Sequence, residues 1–456
     1  MSGLNQSLAI ALTGLAASQQ ALATSSNNVA NANTPGYARE RAVLTSGEPV
    51  VWGSLTYGTG VVLQKIESVR DSILEIQLNQ ETQQQSKLDA ALAQLLQIQS
   101  QFGTANSGIG ADISKFFNSL HQLAPDPSNL ALRQSVLTAA GNLANDFNST
   151  ANHLQTQRSN LDLTVIQSVG EVNTLTAQIA GVDEQIANLQ NAHQDAGMLI
   201  DKQTNLIRQL SALVDVSVIP TDNGGITLAT SNGTTLVSGS QNFSFSTQLG
   251  SDGLQHIMAG TQDITGTLTG GSLAGLIQIR DQEIPSLGSS LDQLAAGLAN
   301  ALNTANRAGF DLNGIAGVDL FVPPPVSGVG AAATLRVSIT DPALIAASSD
   351  DASGGNGNVA VLAAVHDQVV ANGQTPLDFY SNIIFHVGNV TANTSADVDA
   401  SNLILQQLQD QRGSISGVSL DEEAANIIQF QTAYQAAARV VSTVNTLLDV
   451  AVNLGR

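Results

Sequence analysis

The amino-acid sequence predicts a mainly α protein: a long antiparallel helical bundle with a small β domain inserted, whose terminal helices form a coiled-coil-like inner layer on assembly. Three observations carry that expectation. Apolar residues recur at seven-residue spacing near both ends and through the interior. A stretch rich in Val, Thr, Ser and Gly begins abruptly at Val214. Of 456 residues, 43% are hydrophobic and 12% charged, enough apolar material to bury sizeable cores.

At the N-terminal end Leu8, Leu15, Leu22 and Val29 lie seven apart, with Leu4, Ala11, Ser18 and Ser25 between them. This is the alternation of a coiled-coil seam, thinned by small residues. Asn33-Thr34-Pro35-Gly36 then stops the helix, because a pre-proline residue, a fixed φ and a glycine coincide. Residues 38–70 read as extended and turn-rich, with a strand after the glycines that follow Tyr57. Helical periodicity returns over about 71–102 and again over 112–123, ending at Pro125-Asp126-Pro127.

The longest periodic segment covers 129–213. There Val165, Val172, Ile179 and Ile186 form one row, and Leu154, Leu161, Leu175, Val182 and Leu189 a companion. Polar residues on the outer positions make 147–213 an ordinary intramolecular core. From Val214 to Thr269 short alternating runs such as Val216–Ile219 and Ile226–Ala229 are separated by Asp222-Asn-Gly-Gly225, Ser231-Asn-Gly233 and Ser251-Asp-Gly253, which read as hairpin turns. Helix resumes after Gly270-Gly271 and runs through Leu302. Beyond the Pro323-Pro-Pro325 break, residues 332–340 are expected to form one more strand of the β domain. Helices come next at about 357–371 and 376–411, separated by Asn372-Gly373.

The last helix has the cleanest pattern. Ile427, Tyr434, Val441 and Leu448 lie seven apart, as do Phe430, Ala437, Val444 and Ala451. Ser419 and Glu422 have capping-box spacing, and Asp421, Glu422 and Glu423 sit at the positive end of the helix dipole. The expected domains are a terminal helical assembly domain (1–45 plus 415–456), a helical bundle (46–213, 270–322 and 343–414) and an inserted β domain (214–269 plus 323–342). The candidate assembly interface is Leu8, Leu15, Leu22, Val29, Ile427, Phe430, Tyr434, Val441, Val444 and Leu448. Asn33, Pro35, Gly36, Ser419 and Glu422 are its turn and cap residues.

A formal net charge of −21 argues against nucleic acid and anionic lipid as partners, since Lys and Arg supply the sequence-independent part of such affinity. No eighteen-residue apolar run is present, so no membrane insertion is expected. The first basic residue is Arg39, which leaves no positive n-region for a cleaved signal. Cysteine is absent, which removes disulfides and thiolate chemistry. His121, His153, His193, His256, His366 and His386 fall at no metal-ligand spacing. Asp311-Leu-Asn-Gly314 lacks the later ligands of a calcium loop and reads as a turn. No catalytic constellation, metal site or cofactor is therefore expected.

Ser25-Ser-Asn-Asn-Val-Ala-Asn-Ala-Asn-Thr-Pro-Gly-Tyr37 resembles the N-terminal motif of flagellar axial proteins. Ser416-Gly-Val-Ser-Leu-Asp-Glu-Glu423, Phe430-Gln-Thr-Ala-Tyr434 and the closing Leu447–Leu454 resemble the C-terminus of the first hook-associated protein family, FlgK. Asp201–Val214, Gly270–Asp281 and Ala308–Gly317 are similar to the same family. The resemblance implies a non-enzymatic structural protein of the bacterial flagellum, exported by the type III route and placed outside the cell at the hook–filament junction. Its implied partners are hook protein, a second hook-associated protein of the FlgL type, a chaperone of the FlgN type on the C-terminal helix, and further copies of itself. A distal rod or hook protein of the same class, or a filament-displayed adhesin, remain as alternatives.

Overall fold

The structure is a computed structural model that describes residues 2–34, 36–52, 55–103, 107–192, 194–221, 225–352 and 354–453. Pro35, His193 and most of the expected 222–225 turn lie outside the described residues.

Helix α1 covers Ser2–Asn31 and is followed by β1 (Glu40–Ser46), β2 (Val50–Trp52), β3 (Leu55–Tyr57) and β4 (Val61–Ser68). The long helices are α2 (Ser72–Phe102), α3 (Ile109–Leu123), α4 (Leu130–Asn191) and α5 (Gly197–Leu213). Strands β5 (Ser217–Pro220), β6 (Ile226–Ala229), β7 (Thr235–Ser238) and β8 (Gln241–Asn242) form a four-stranded sheet in chain order. Strands β9 (Phe245–Leu249), β10 (Gln255–Ala259) and β11 (Gln262–Asp263) form a second, with β10 central. Helices α6 (Gly271–Gln278), α7 (Ile284–Arg307), α8 (Ala331–Thr334), α9 (Gly357–Ala364), α10 (Pro376–Ser416) and α11 (Leu420–Asn453) complete the chain. This is the mainly α architecture with small inserted sheets that the periodicities predict.

Two compact units emerge, one of residues 1–84, 171–245 and 401–456, the other of 85–170 and 246–400. In the first, Leu74 and Leu78 of α2, Val172, Ile179 and Ile186 of α4, and Leu210 of α5 are buried. In the second, Leu154, Leu161 and Val165 of α4 share burial with Ile113, Phe116 and Leu120 of α3 and with Leu291, Leu294 and Leu298 of α7. The interior heptad rows are thus core, as their polar outer positions require. The periodic segment is interrupted at 192–196, which separates α4 from α5.

Within the second unit, α6 and α7 are joined by one π-helical turn, Ile279–Glu283. That turn places the guanidinium of Arg280 fully out of solvent, 2.6 Å from Asp162 on α4 and 2.7 Å from Asp281. Arg280 Nη1 also donates to the Gln255 carbonyl of β10, and the Gln255 amide donates to Asp162. A single buried cation therefore ties a helix joint, a helix face and a strand.

The expected strand over 332–340 is not formed. Residues 331–334 make one helical turn, and residues 335–340 take part in just the isolated bridge Phe321↔Val337. The reason is competition for backbone groups. Asp292 accepts from the amides of Gly330 and Ala332, and Asn148 donates to the carbonyls of Ala332 and Leu335. The irregular chain from 308 to 348 is pinned in the same way. Asn303 bonds both backbone groups of Phe321, Asn306 holds Val318 and Ala346, and Asn358 donates to Ala305 and Ala346. Asp311 accepts from the amides of Asn313 and Ile315, which makes 311–315 a turn.

Removing Arg280 leaves the half-buried Asp162 without its cation, and orphaned charges shielded from water are expensive. Arg280→Ala is expected to destabilise the second unit by about 3–5 kcal/mol in urea denaturation, with helical content at zero denaturant retained.

Candidate assembly interface

The two ends of the chain meet in the first unit, where α1 packs along α11. Small residues allow a close approach: a Cβ built on Gly14 would lie 4.0 Å from Cβ of Ala437. Leu8, Leu15 and Leu22 are half-buried, while Ala11, Ala17 and Ala21 are buried beside them. Val29 is exposed. On α11, Ile427, Phe430, Tyr434, Val441 and Leu448 are half-buried and Val444 is 6% exposed. Nine of the ten candidate interface residues are thus at least partly covered, Val29 being the exception. The two helices of the same chain pack along each other, and α1 also meets β1 and β4.

That pairing leaves a second apolar row uncovered. Ile428 (65% exposed) and Val450 project from α11 roughly opposite the seam, and Val440 and Leu447 from its flank, reckoned at 100° per residue. Ile10 and Leu12 are exposed on α1. Charge is missing from the same surfaces. Residues 2–38 contain no charged side chain, and 424–453 contain just Arg439 and Asp449, in a chain of net charge −21. A helix apolar on two sides and nearly free of charge has the composition of a buried element, not of a solvated one.

The register of the pair is set by a polar clasp at its base. Asn28 is buried, and its side chain imitates a neighbouring strand: Nδ2 donates to the Glu40 carbonyl (2.8 Å) and Oδ1 accepts from the Glu40 amide (2.9 Å). The Tyr37 hydroxyl donates to the same Oδ1. The turn between them uses Thr34 N–H to Asn31 C=O and Tyr37 N–H to Thr34 C=O. Gly36 adopts φ +86°, a conformation that suits glycine. Asn33 is exposed on this turn.

Three further segments close on it. The Arg39 amide donates to the Ser416 carbonyl, 2.9 Å away at the end of α10. Arg39 also reaches Glu422 (2.7 Å) and the buried Glu423 (2.9 Å) in the first turn of α11. Arg412 donates to the Gly36 carbonyl and to Glu75, and Arg208 of α5 binds the other oxygen of Glu75. Arg70 binds Asp201 and Thr204. Ser419 caps α11 by accepting from the Glu422 amide at 3.4 Å. The Glu422 carboxylate has turned away to Arg39, so the capping box is realised on one side.

Glu40 is the strained member. Its Oε1 has no hydrogen-bond partner among the described residues and lies where a Cβ on Gly197 would come within 2.7 Å. Burial raises its pKa, Asp195 raises it further, and the Asn27 hydrogen bond and Arg70 offset part of the effect. Burial also raises the Tyr37 pKa, with Glu40 and Glu423 adding to it.

Sequence reasoning singled out Gly36, Ser419 and Glu422 but missed Arg39, Glu40, Arg70, Glu75 and Arg412. The signal for them was present as a charge pattern: the first charged residues after a neutral stretch of 38 sit at Arg39 and Glu40. Among the described residues no helix is long and apolar enough to cross a membrane, and no group of three or more His, Cys, Asp or Glu could hold a metal ion. His256 lies between Asp252 and Asp263, and His386 meets Glu283.

Family comparisons act on these same segments. A model of the flagellar hook-associated protein FlgK helical domain matches residues 95–321. Models of the flagellar basal body rod FlgEFG protein C-terminal region and of the basal body rod protein match 411–454 and 8–37. Flagellar hook-associated protein 1 of Bacillus subtilis (strain 168) is 30% identical across 98% of this chain and 97% of its own length. The chain belongs to the flagellar hook-associated protein 1 family. Its relative from Escherichia coli (strain K12) is 27% identical over 97% of this chain and 98% of that one. The solved flagellar hook junction protein FlgK of Burkholderia pseudomallei shares the fold, with a TM-score of 0.68 at 16% identity, over 75% of this chain and all of that one. As a member of that family, it is a structural component of the flagellum at the hook–filament junction. The ends match models of the rod class and the interior matches the FlgK domain, which separates this protein from rod and hook relatives that share its N-terminal motif.

Two outcomes test the clasp. Asn28→Ala orphans both backbone groups of Glu40, and a loss of about 1–3 kcal/mol is expected, with faster hydrogen exchange at the Glu40 amide. For pH, the raised folded pKa of Glu40 means the folded state binds this proton more readily than the unfolded one. Its charged form therefore disfavours the fold at neutral pH, and stability is regained as pH falls through the raised value towards the ordinary 4.5. Glu40→Gln is expected to be more stable than the parent at pH 7 and to lose that part of the acid-side gain in denaturation midpoints.

Proposed function

We propose that this hook-associated protein joins the flagellum through its α1–α11 pair, which copies bury against one another as a continuous inner layer. The observation that carries this reading is the uncharged second face of the pair. Ile10 and Leu12 on one helix and Ile428, Val440, Leu447 and Val450 on the other stay between 37% and 65% exposed within the chain. Covering such side chains is worth about 1.5–3 kcal/mol each when complete. Asp449 is the one acidic residue within 2–38 and 424–453, so copies can bring these stretches together with little like-charge repulsion.

In this role the chain is a structural adaptor and not an enzyme. Hook subunits would cover one side of its layer and a FlgL-type protein the other, with a ring of its own copies between. Before assembly, a FlgN-type chaperone covering α11 would mask the exposed row during export, and the finished protein would lie outside the cell. The charge-poor, twice-apolar α11 supports a need for such cover. A cleft of about 750 Å³ in the second unit, lined by residues that include Gly288, Ser289 and Asn372, has Asp292 on its wall. That carboxylate is already committed to capping α8, which favours a structural over a catalytic use.

Val441→Asp and Leu448→Asp put charge into the half-buried seam of α11. Cells carrying either are expected to be non-motile, with hooks but no attached filaments in electron micrographs and flagellin in the medium. Normal filaments with both variants would overturn the reading. The near-ultraviolet spectrum of each purified variant checks that the second unit keeps its fold.

A further inference from the structure

On the exposed side of the β9–β11 sheet one imidazole sits between two carboxylates. His256 of β10 places Nδ1 2.6 Å from Asp263 Oδ2 on β11 and Nε2 3.2 Å from Asp252 Oδ1 in the turn between β9 and β10. An ionised carboxylate can only accept, and a neutral imidazole has one donor and one acceptor. The neutral ring would therefore turn a lone pair towards one of these carboxylates. The imidazolium donates to both, so the geometry selects the cation.

The surroundings hold the ring in this position. A Cβ built on Gly250, at the end of β9, would lie 2.5 Å from Nε2 and 2.6 Å from Cδ2 of His256. Gly250 is outside the left-handed region, so glycine serves here to leave room for the ring and not to permit the turn. Each carboxylate is oriented by a backbone amide before it meets the imidazole. Asp252 Oδ1 accepts from the Leu254 amide (3.2 Å), within a turn closed by the Gly250 amide on the Leu254 carbonyl. Asp263 Oδ1 accepts from the Thr265 amide (2.9 Å), and Thr265 Oγ1 accepts from the Ile257 amide (2.7 Å). Leu254, Ile257 and Ile264 are buried on the other side. The ring thus joins the β9–β10 turn to β11 across the central strand.

No further charge answers this cation. Strand β9 carries no charged side chain, the turn supplies Asp252 and β11 supplies Asp263. Arg280 and Asp162 reach β10 from the helices, but they bind each other and the backbone of Gln255. The two carboxylates flank opposite ring nitrogens, so a single metal ion could not collect all three groups. A proton is the ligand that this arrangement fits.

We propose that His256 is a proton-operated latch: as the imidazolium it ties the 250–254 turn to β11, and loss of its proton releases the turn as the surroundings become alkaline. The ring is 30% exposed and exchanges protons with the medium. The hydrogen bond with Asp263 raises its pKa above the ordinary 6.5, burial offsets part of that rise, and Asp252 adds to it. Because the folded value is the raised one, the latch is fully made below 6.5 and is lost as pH climbs through the raised value. At the acid end burial raises the Asp263 pKa, but His256 and Thr265 outweigh it and bring it down to about 2. That contribution is present above 3.8 and lost as pH falls through about 2. The latch lies within the second unit and does not depend on the assembly reading.

NMR titration of the full chain, isotope-labelled at histidine, tests it, with His256→Gln identifying the His256 signal among the six histidines. The midpoint is expected above 6.5, and lower in Asp263→Asn and in Gly250→Ala. Hydrogen exchange of peptides over 249–258, corrected for intrinsic rates, is expected to lose protection as pH rises through the same midpoint. The loss should be about tenfold for each pH unit that separates the midpoint from the ordinary value. In His256→Gln it should be absent, with far-ultraviolet circular dichroism checking that each variant folds. A midpoint at or below 6.5, or one unmoved by Asp263→Asn, would overturn the latch. So would protection over 249–258 that follows the same pH course in the parent and in His256→Gln. Loss of protection in α7 over the same range would make the opening global and overturn it too.

Discussion

The pairing of Asn28 with the backbone of Glu40 is the contact on which the organisation of the termini depends. It fixes the end of α1 to the start of β1 through two bonds of 2.8 and 2.9 Å, in a site closed to water. The next residue back, Arg39, donates its amide to Ser416 and its guanidinium to the first turn of α11. One short stretch of chain therefore sets where α1 ends, where α11 begins and how they lie together. Because the amide groups have no water to fall back on, the cost of misplacing any of them is high. The clasp behaves as a unit for that reason.

The same device recurs where the chain lacks regular structure. Asn173 bonds both backbone groups of Phe245, and Asn303 does so for Phe321. In each case a helix side chain supplies the donor and acceptor that a neighbouring strand would have offered. This lets a helical protein carry extended segments without large sheets, since the backbone groups of Phe245 and Phe321 still find partners. It also explains why residues 331–340 do not become a strand. Asp292 and Asn148 already satisfy the Ala332 amide and the Ala332 and Leu335 carbonyls, which leaves 336–338 to form just the bridge to Phe321.

Charge is divided as sharply as polarity. The uncharged first 38 residues and the nearly uncharged 424–453 stretch of α11 belong to a chain whose net charge is −21. The charge that favours solubility is thus concentrated away from the apolar terminal helices. Between them lies the clasp, where Arg39, Arg70, Arg208 and Arg412 answer Glu75, Asp201, Glu422 and Glu423. Its cations are directed inward at carboxylates and carbonyls, which leaves the outer faces of the helix pair to apolar contact.

Much of this was legible in the sequence. Heptad spacing located the terminal helices and the buried rows of α4, because side-chain period follows backbone geometry wherever one face is covered. Ser419 marked the start of α11 and the turn before Tyr37 marked the end of α1, since caps and glycine turns are local chemistry. The family motifs named the class. Partners distant along the chain were not legible: Arg39 with Glu423, Arg412 with Gly36, Asn303 with Phe321 and Arg280 with Asp162. Each depends on which elements the fold brings side by side, and no local period encodes that. The opposite apolar face of α11 belongs to the same category. Its residues were visible as Ile, Val and Leu, but only packing against α1 revealed which of them stay uncovered.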